Sequence, residues 1–133
     1  MKLGIKLLEG ESANGMSAVT GFDIQRGETK DVYVQLVDLN RGGTRYVPDT
    51  AATVQIALPR SPEVFGTVQN ERQTVDHSIS RFATKPFAGD WSIWKMSLSA
   101  ADTASLISTG MKVTVTEGSK ISIAFLDLAI SVG

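Results

Sequence analysis

Short segments of alternating apolar and polar residues, with turn residues between them, restrict the fold of this chain more than any other feature. Residues 32–37 and 111–117 show the alternation clearly. A period of two places every second side chain on one face of a β-strand. After the second of these segments, Gly118 and Ser119 provide a two-residue hairpin turn before an apolar return segment. The sequence therefore predicts antiparallel β-structure.

Turn residues separate these segments at nearly regular intervals along the chain. We predict strands at 32–37, 53–58, 75–82, 90–98, 111–117 and 120–132. About seven or more antiparallel strands with one short helix are typical of an immunoglobulin-like β-sandwich. The length of 133 residues predicts a single domain that spans residues 1–133. Residues 1–20 are either an arm or a first strand followed by a mobile loop at Gly10–Gly21, and Ser61–Thr74 is a second predicted loop.

Two of the predicted strands change the face that carries their apolar residues. Trp91 and Trp94 lie on opposite faces, so either both faces of their strand are covered or a bulge exchanges them. In the last strand the apolar residues occupy odd positions from Ile121 to Phe125 and even positions from Leu126 onward. This change of phase predicts either a bulge or a strand that passes from one sheet to another.

One short helix is predicted between the last strands. Ser99 followed three residues later by Asp102 has the spacing of a capping box, in which each side chain satisfies a backbone N–H of the first turn. Gly110 is the predicted stop, since glycine readily ends a helix. The apolar stripe expected to face the core consists of Ala100, Ala101, Ala104 and Ile107.

Composition limits the classes of function. The chain has no cysteine, which excludes disulfides, zinc sites built on thiolates and cysteine nucleophiles. Its net charge of -1 gives no reason to expect nucleic acid or a membrane as a partner. The N-terminal segment has Lys6 inside its apolar run and lacks the pattern of a signal peptide, so synthesis in the cytoplasm is expected.

The residue types that carry catalysis are sparse. His77 is the single histidine, and on a strand the neighbouring Asp76 points to the opposite face. Acid–base and metal sites need partners at a spacing that this sequence does not show. The carboxylates are scattered, and no nucleophile elbow or phosphate-binding loop occurs. We therefore expect no enzyme activity, no metal and no cofactor.

Aromatic and arginine residues are the candidates for a protein interface. One of the two tryptophans is expected in the core, and the other is an interface anchor or a platform for a sugar ring. Arginines in turns hold acidic partner surfaces if several converge, although separate solvated charges are the simpler interpretation. The candidate interface residues are Tyr33, Tyr46, Trp91, Trp94, Arg41 and Arg45. Further arginines in or near turns are Arg60, Arg72 and Arg81.

Four segments carry a resemblance to a known class of protein. They are the strand at 89–98, the helix at 99–106, the hairpin at 111–132 and the strand Lys-Asp-Val-Tyr-Val-Gln-Leu at 30–36. This organisation resembles the small immunoglobulin-like β-sandwich domains of tailed-bacteriophage virions, such as the N-terminal domain of upper baseplate proteins. The resemblance implies a non-enzymatic structural protein of the virion that forms a homo-oligomer and contacts other virion proteins.

The position within the virion is left open by the resemblance. In baseplate proteins such a domain is commonly followed by a long extension, whereas this sequence stops at Gly133. A baseplate, tail, connector or capsid-decoration subunit is therefore an equal expectation. The alternative is a β-sandwich module that binds carbohydrate or a cell surface. A hydrolase of unfamiliar type that uses His77 is a distant third.

Overall fold

The computed structural model describes residues 1–10, 15–58 and 79–133 of the chain. Within these ranges there are ten β-strands and one α-helix, so the prediction of a mainly β fold with one short helix is confirmed. The strands are β1 Leu3–Glu9, β2 Ser17–Val19, β3 Phe22–Ile24, β4 Lys30–Asp38, β5 Thr44–Arg45, β6 Thr53–Leu58, β7 Ile79–Phe82, β8 Ile93–Leu98, β9 Thr109–Glu117 and β10 Lys120–Val132. The helix, α1, spans Ala100–Ser105, and a 3-10 turn spans Leu39–Arg41.

The strands form two five-stranded sheets. Sheet A has the order β2-β1-β4-β5, and β8 pairs with β4 beside β5. Sheet B has the order β3-β10-β9-β6-β7. All pairs are antiparallel except β3 with β10, which are parallel and differ in this respect from the expectation. The chain passes from sheet B to sheet A after β7, where Ala83 bonds to Val54 and Thr84 bridges to Lys95.

The inner faces of the two sheets form one hydrophobic core. Val32, Val34 and Leu36 of β4 are fully buried, as are Val54 and Ile56 of β6. Each such side chain stabilises the fold by about 1.5–3 kcal/mol through the removal of apolar surface from water. The side chains that the alternation places on one face of these strands are therefore the buried ones.

The two changes of phase have different structural origins. β8 begins at Ile93, later than predicted, and Trp94 faces the core while Ile93 is also buried on the other side. Both faces are thus covered at the start of β8, whereas Ser97 is exposed near its end. In β10 the pairing register with β9 shifts between Leu126 and Ile130, and β10 stays in sheet B on both sides of this irregularity, so of the two predicted alternatives it does not pass to the other sheet.

Helix α1 begins where the sequence predicts and ends earlier. Ser99 and Asp102 form the capping box, since each side chain accepts a hydrogen bond from the other residue's backbone N–H. The helix ends at Ser105, and the predicted stop, Gly110, lies inside β9. The predicted stripe was wrong as well, because Thr103 is the buried residue of the helix. The exposed residues of the stripe are Ala100, Ala101 and Ala104.

The N-terminal region follows the second of its two predicted alternatives. β1 is an integral strand of sheet A, paired with β4 along Leu3–Leu8. The Gly10–Gly21 segment, expected as a mobile loop, contains the short strand β2. Of the predicted strand at 75–82, only β7 belongs to the described residues. Several predictions lie outside these residues, namely His77, Arg60, Arg72 and the Ser61–Thr74 loop.

Candidate protein interface

A groove lies along the line where an edge of sheet A meets an edge of sheet B. Residues 3–6 of β1 pair only with β4, because β2 covers β1 only from Leu7. Residues 120–126 of β10 pair only with β9, because β3 joins β10 from Ile130. β1 and β10 approach each other here without forming a ladder within the described residues. We call the resulting cleft the seam groove.

The seam groove has a volume of about 390 Å³. β1 supplies its inner wall through Leu3, Gly4 and Ile5. β10 supplies the opposite wall through residues 123–126, and Leu39 of the 3-10 turn forms the rim. Most of these groups are apolar, so water that fills the groove finds few hydrogen-bonding partners.

Three apolar side chains of β10 point away from the core beside this groove. Ile121, Ile123 and Phe125 are 62%, 46% and 45% exposed, whereas the intervening Ala124 is 6% exposed. They occupy the outer face of sheet B, and their partners across the ladder on β9 are Thr116, Thr114 and Lys112. We call these three residues the seam row. A solvent-facing row of this kind would ordinarily be polar.

Leu39 extends the apolar surface beyond the seam row, and it is 49% exposed. The 3-10 turn holds it in place, since the N–H of Leu39 donates to the carbonyl oxygen of Lys2 at 2.8 Å. The absence of a side chain at Gly4 is necessary for this position, because a Cβ there would lie 2.8 Å from Leu39 Cγ. Leu39 and the seam row together form what we call the seam surface.

A second group of aromatic residues lies on and beside sheet A. The rings of Tyr33 and Phe87 are stacked, with centroids 6.1 Å apart. Trp91 is 38% exposed, and the Nζ atom of Lys85 lies 4.3 Å from its ring centroid. Lys85 thus covers one face of the Trp91 ring, and only the other face is left for a sugar to stack on.

Trp94 is the tryptophan that belongs to the core. It is 4% exposed, and its Nε1–H donates to the carbonyl oxygen of Trp91 at 3.1 Å. Trp91 instead lies in the turn before β8, and the predicted strand at 90–98 did not determine which of the two tryptophans is buried.

The two candidate arginines are paired with carboxylates of their own chain. Arg45 Nη1 lies 3.3 Å from Asp90 Oδ2, and Arg41 Nε lies 3.9 Å from Asp38 Oδ2. Burial raises the pKa of Asp90, but hydrogen bonds from Ser92 and the charge of Arg45 outweigh burial and hold this pKa below its usual value. Because both arginines are largely exposed, each pair contributes little to stability.

Tyr46 is occupied by an internal hydrogen bond. Its hydroxyl donates to Glu117 Oε1 at 2.5 Å, and Glu117 Oε2 accepts from the N–H of Asp49 at 3.1 Å. Burial, followed by the hydrogen bond to Glu117, raises the pKa of Tyr46 to about 12. Tyr46 therefore links the segment after β5 to the end of β9.

The structure distributes the predicted interface residues over two places. Tyr33 lies on the outer face of sheet A, and Trp91 lies in the turn before β8, with Arg45 nearby through its pair with Asp90. Arg41 and Tyr46 line another groove, of about 300 Å³, to which Arg45 also contributes. The seam surface was not among the predicted interface residues. The signal that could have found it is the run of apolar residues at odd positions from Ile121 to Phe125.

Other kinds of site find no support among the residues that the structure describes. They contain no group of three or more histidine or carboxylate residues that could hold a metal ion. No helix in this part of the chain is long and apolar enough to cross a membrane. Comparison of the sequence and the fold with family models, curated proteins and solved structures finds no match.

Proposed function

We propose that this chain is a non-enzymatic structural subunit that acts through protein–protein contacts. The seam surface is the observation that carries this proposal. Its four side chains present an apolar patch on the order of 300–400 Å², the size of the largest patches on soluble proteins, which are often functional. A partner that removes exposed isoleucine and phenylalanine side chains from water lowers the free energy of the complex. The surface therefore suits a stable contact.

We further propose that the assembly is the virion of a tailed bacteriophage and that the two sheets are an immunoglobulin-like sandwich. The resemblance of the 30–36 and 89–132 segments to virion domains supports this proposal. Two facing sheets with a shared core are compatible with it. The same contact is repeated between many subunits of a virion, so its side chains must be held in the same positions in every subunit. The seam row lies on a long strand within a five-stranded sheet and meets this need.

The test is to purify particles released by cells that carry the gene and to count copies of the chain per particle by quantitative mass spectrometry. We expect several copies per particle. The double variant Ile121→Ser/Ile123→Ser should reduce this number roughly tenfold, since residues at an interface centre carry most of the binding energy.

Phe82→Ser is the matched control, because Phe82 is 67% exposed on β7, at the opposite edge of sheet B. It should leave the copy number unchanged. Particles that contain no copy of the wild-type chain would overturn the virion proposal.

A further inference from the structure

We propose that the fold binds one buried water molecule between Thr109 on β9 and the irregular stretch of β10 at residues 127–129. This inference goes beyond the proposed function and does not depend on the seam surface. It is carried by a buried hydroxyl group that lacks a protein partner, by an interrupted ladder beside that group and by the burial of the chain there.

The hydroxyl group of Thr109 is the first observation. Thr109 begins β9 and, by the alternation of this strand, shares the inner face with Met111 and Val113. The residue is 1% exposed, and its Oγ1 atom has no hydrogen-bonding partner in the part of the chain that the structure describes. A hydroxyl group in apolar surroundings costs free energy unless it is hydrogen-bonded, so most buried hydroxyl groups bond to protein or to an ordered water.

The ladder between β9 and β10 is interrupted next to this hydroxyl group. Thr109 pairs with Ile130, and the neighbouring pair of the ladder is Met111 with Leu126. Between these two pairs, residues 127–129 of β10 stand opposite one residue of β9, and β3 joins β10 only from Ile130. An irregularity of this kind leaves surplus residues unpaired and disrupts the ladder locally.

The irregular stretch is buried at its end next to Thr109. Ala129 is fully buried, and it adjoins Ile130, the ladder partner of Thr109. Backbone N–H and C=O groups that are removed from bulk water require partners. A buried water makes about three hydrogen bonds, so one molecule can serve the hydroxyl group and backbone groups of 127–129 at the same time.

Water is the ligand whose chemistry fits this site. A metal ion would need a group of charged ligands, and the described residues contain no such group of histidines and carboxylates. Folded proteins hold on the order of one buried water per 27 residues, so a chain of 133 residues is expected to bind several.

The stability of Thr109→Val tests the proposal by its sign. If Oγ1 had no partner at all, this variant would remove a buried polar group and stabilise the fold. With a bound water, the variant removes one of the water's partners, and we expect the equilibrium constant for folding to fall roughly tenfold. Urea denaturation measures this constant. Thr114→Val is the matched control on the same strand, because Thr114 is only half-buried, and it should change the constant by no more than about twofold.

A crystal structure of the wild type at high resolution checks the position of the ligand. We expect electron density for a water within about 3 Å of both Thr109 Oγ1 and a backbone nitrogen or oxygen atom of residues 127–129. A wild-type crystal without this density overturns the inference. So does a Thr109→Val variant that is at least as stable as the wild type.

Discussion

The hydroxyl group of Thr103 connects helix α1 to the turn that follows β3. It donates to the carbonyl oxygen of Glu28 at 2.6 Å and accepts from the N–H of Gly27 at 3.0 Å. Gly27 has a φ of 86°, a conformation that favours glycine. These contacts explain why a threonine and not an alanine is the buried residue of the helix, because an alanine would leave both backbone groups without a partner.

Replacement of Thr103 by valine, which has nearly the same shape, should lower the free energy of unfolding by about 1–3 kcal/mol, the cost of leaving buried polar groups unsatisfied. Urea denaturation monitored by fluorescence measures the effect. Thr103→Ser retains the hydroxyl and should lose less than Thr103→Val. Equal stability of the valine variant and the wild type would show that the two hydrogen bonds contribute nothing.

At the scale of elements, the cap of α1 also joins the helix to the edge of sheet B. Arg81 on β7 donates to both carboxylate oxygens of Asp102, at 2.6 and 2.7 Å. The hydrogen bonds from Arg81 hold the pKa of Asp102 well below its usual range, although burial opposes the effect. A carboxylate with a lowered folded-state pKa stabilises the fold above its unfolded-state pKa and loses this contribution as the pH falls.

Asp102→Asn should therefore be less stable than the wild type at pH 7, by about 1–2 kcal/mol as for the loss of a helix cap. The difference should shrink as the pH falls below about 4, the ordinary pKa of an aspartate, because the unfolded wild-type chain then takes up a proton at Asp102 that the folded protein does not bind. Urea denaturation at pH 7, 4 and 3 measures it. Asp23→Asn on the exposed side of β3 is the control. If the difference in unfolding free energy between Asp102→Asn and the wild type does not change with pH, the prediction is contradicted.

At the scale of the whole molecule, contacts between the two sheets determine which surfaces stay exposed. The hydrogen bond from Tyr46 to Glu117 joins the segment after β5 in sheet A to the end of β9 in sheet B. Because the neutral phenol is the form that donates this bond, a raised pKa means that the link stabilises the fold below pH 10. This contribution is lost as the pH rises toward 12.

The chain has two tyrosines, which allows a direct test of this link by ultraviolet absorbance. We expect a tyrosine ionisation near pH 12 in the folded wild type. Tyr46→Phe should remove this late ionisation and lower the free energy of unfolding by about 1 kcal/mol, the net value of a hydrogen bond. A late ionisation that persists in the variant would show that another group is responsible.

Strand periodicity and the helix cap were predictable from sequence because both depend on residues that are close along the chain. The alternation in β4 and β6 reports directly which side chains pair on one face, and Ser99 with Asp102 lies within one turn of α1. The inward face of α1 was not predictable, because Thr103 is held by partners about 75 residues away.

The sequence by itself determined that the chain forms β-structure, that a cap begins the helix and that the pattern of β10 is interrupted, since local sterics and hydrogen bonding specify these features. Tertiary structure alone decided which tryptophan is buried, and it decided that Ile121, Ile123 and Phe125 face outward. The physical reason is that a strand's pattern defines two faces without saying which one meets the other sheet. That choice depends on how the two sheets pack, and the packing left the apolar seam row exposed.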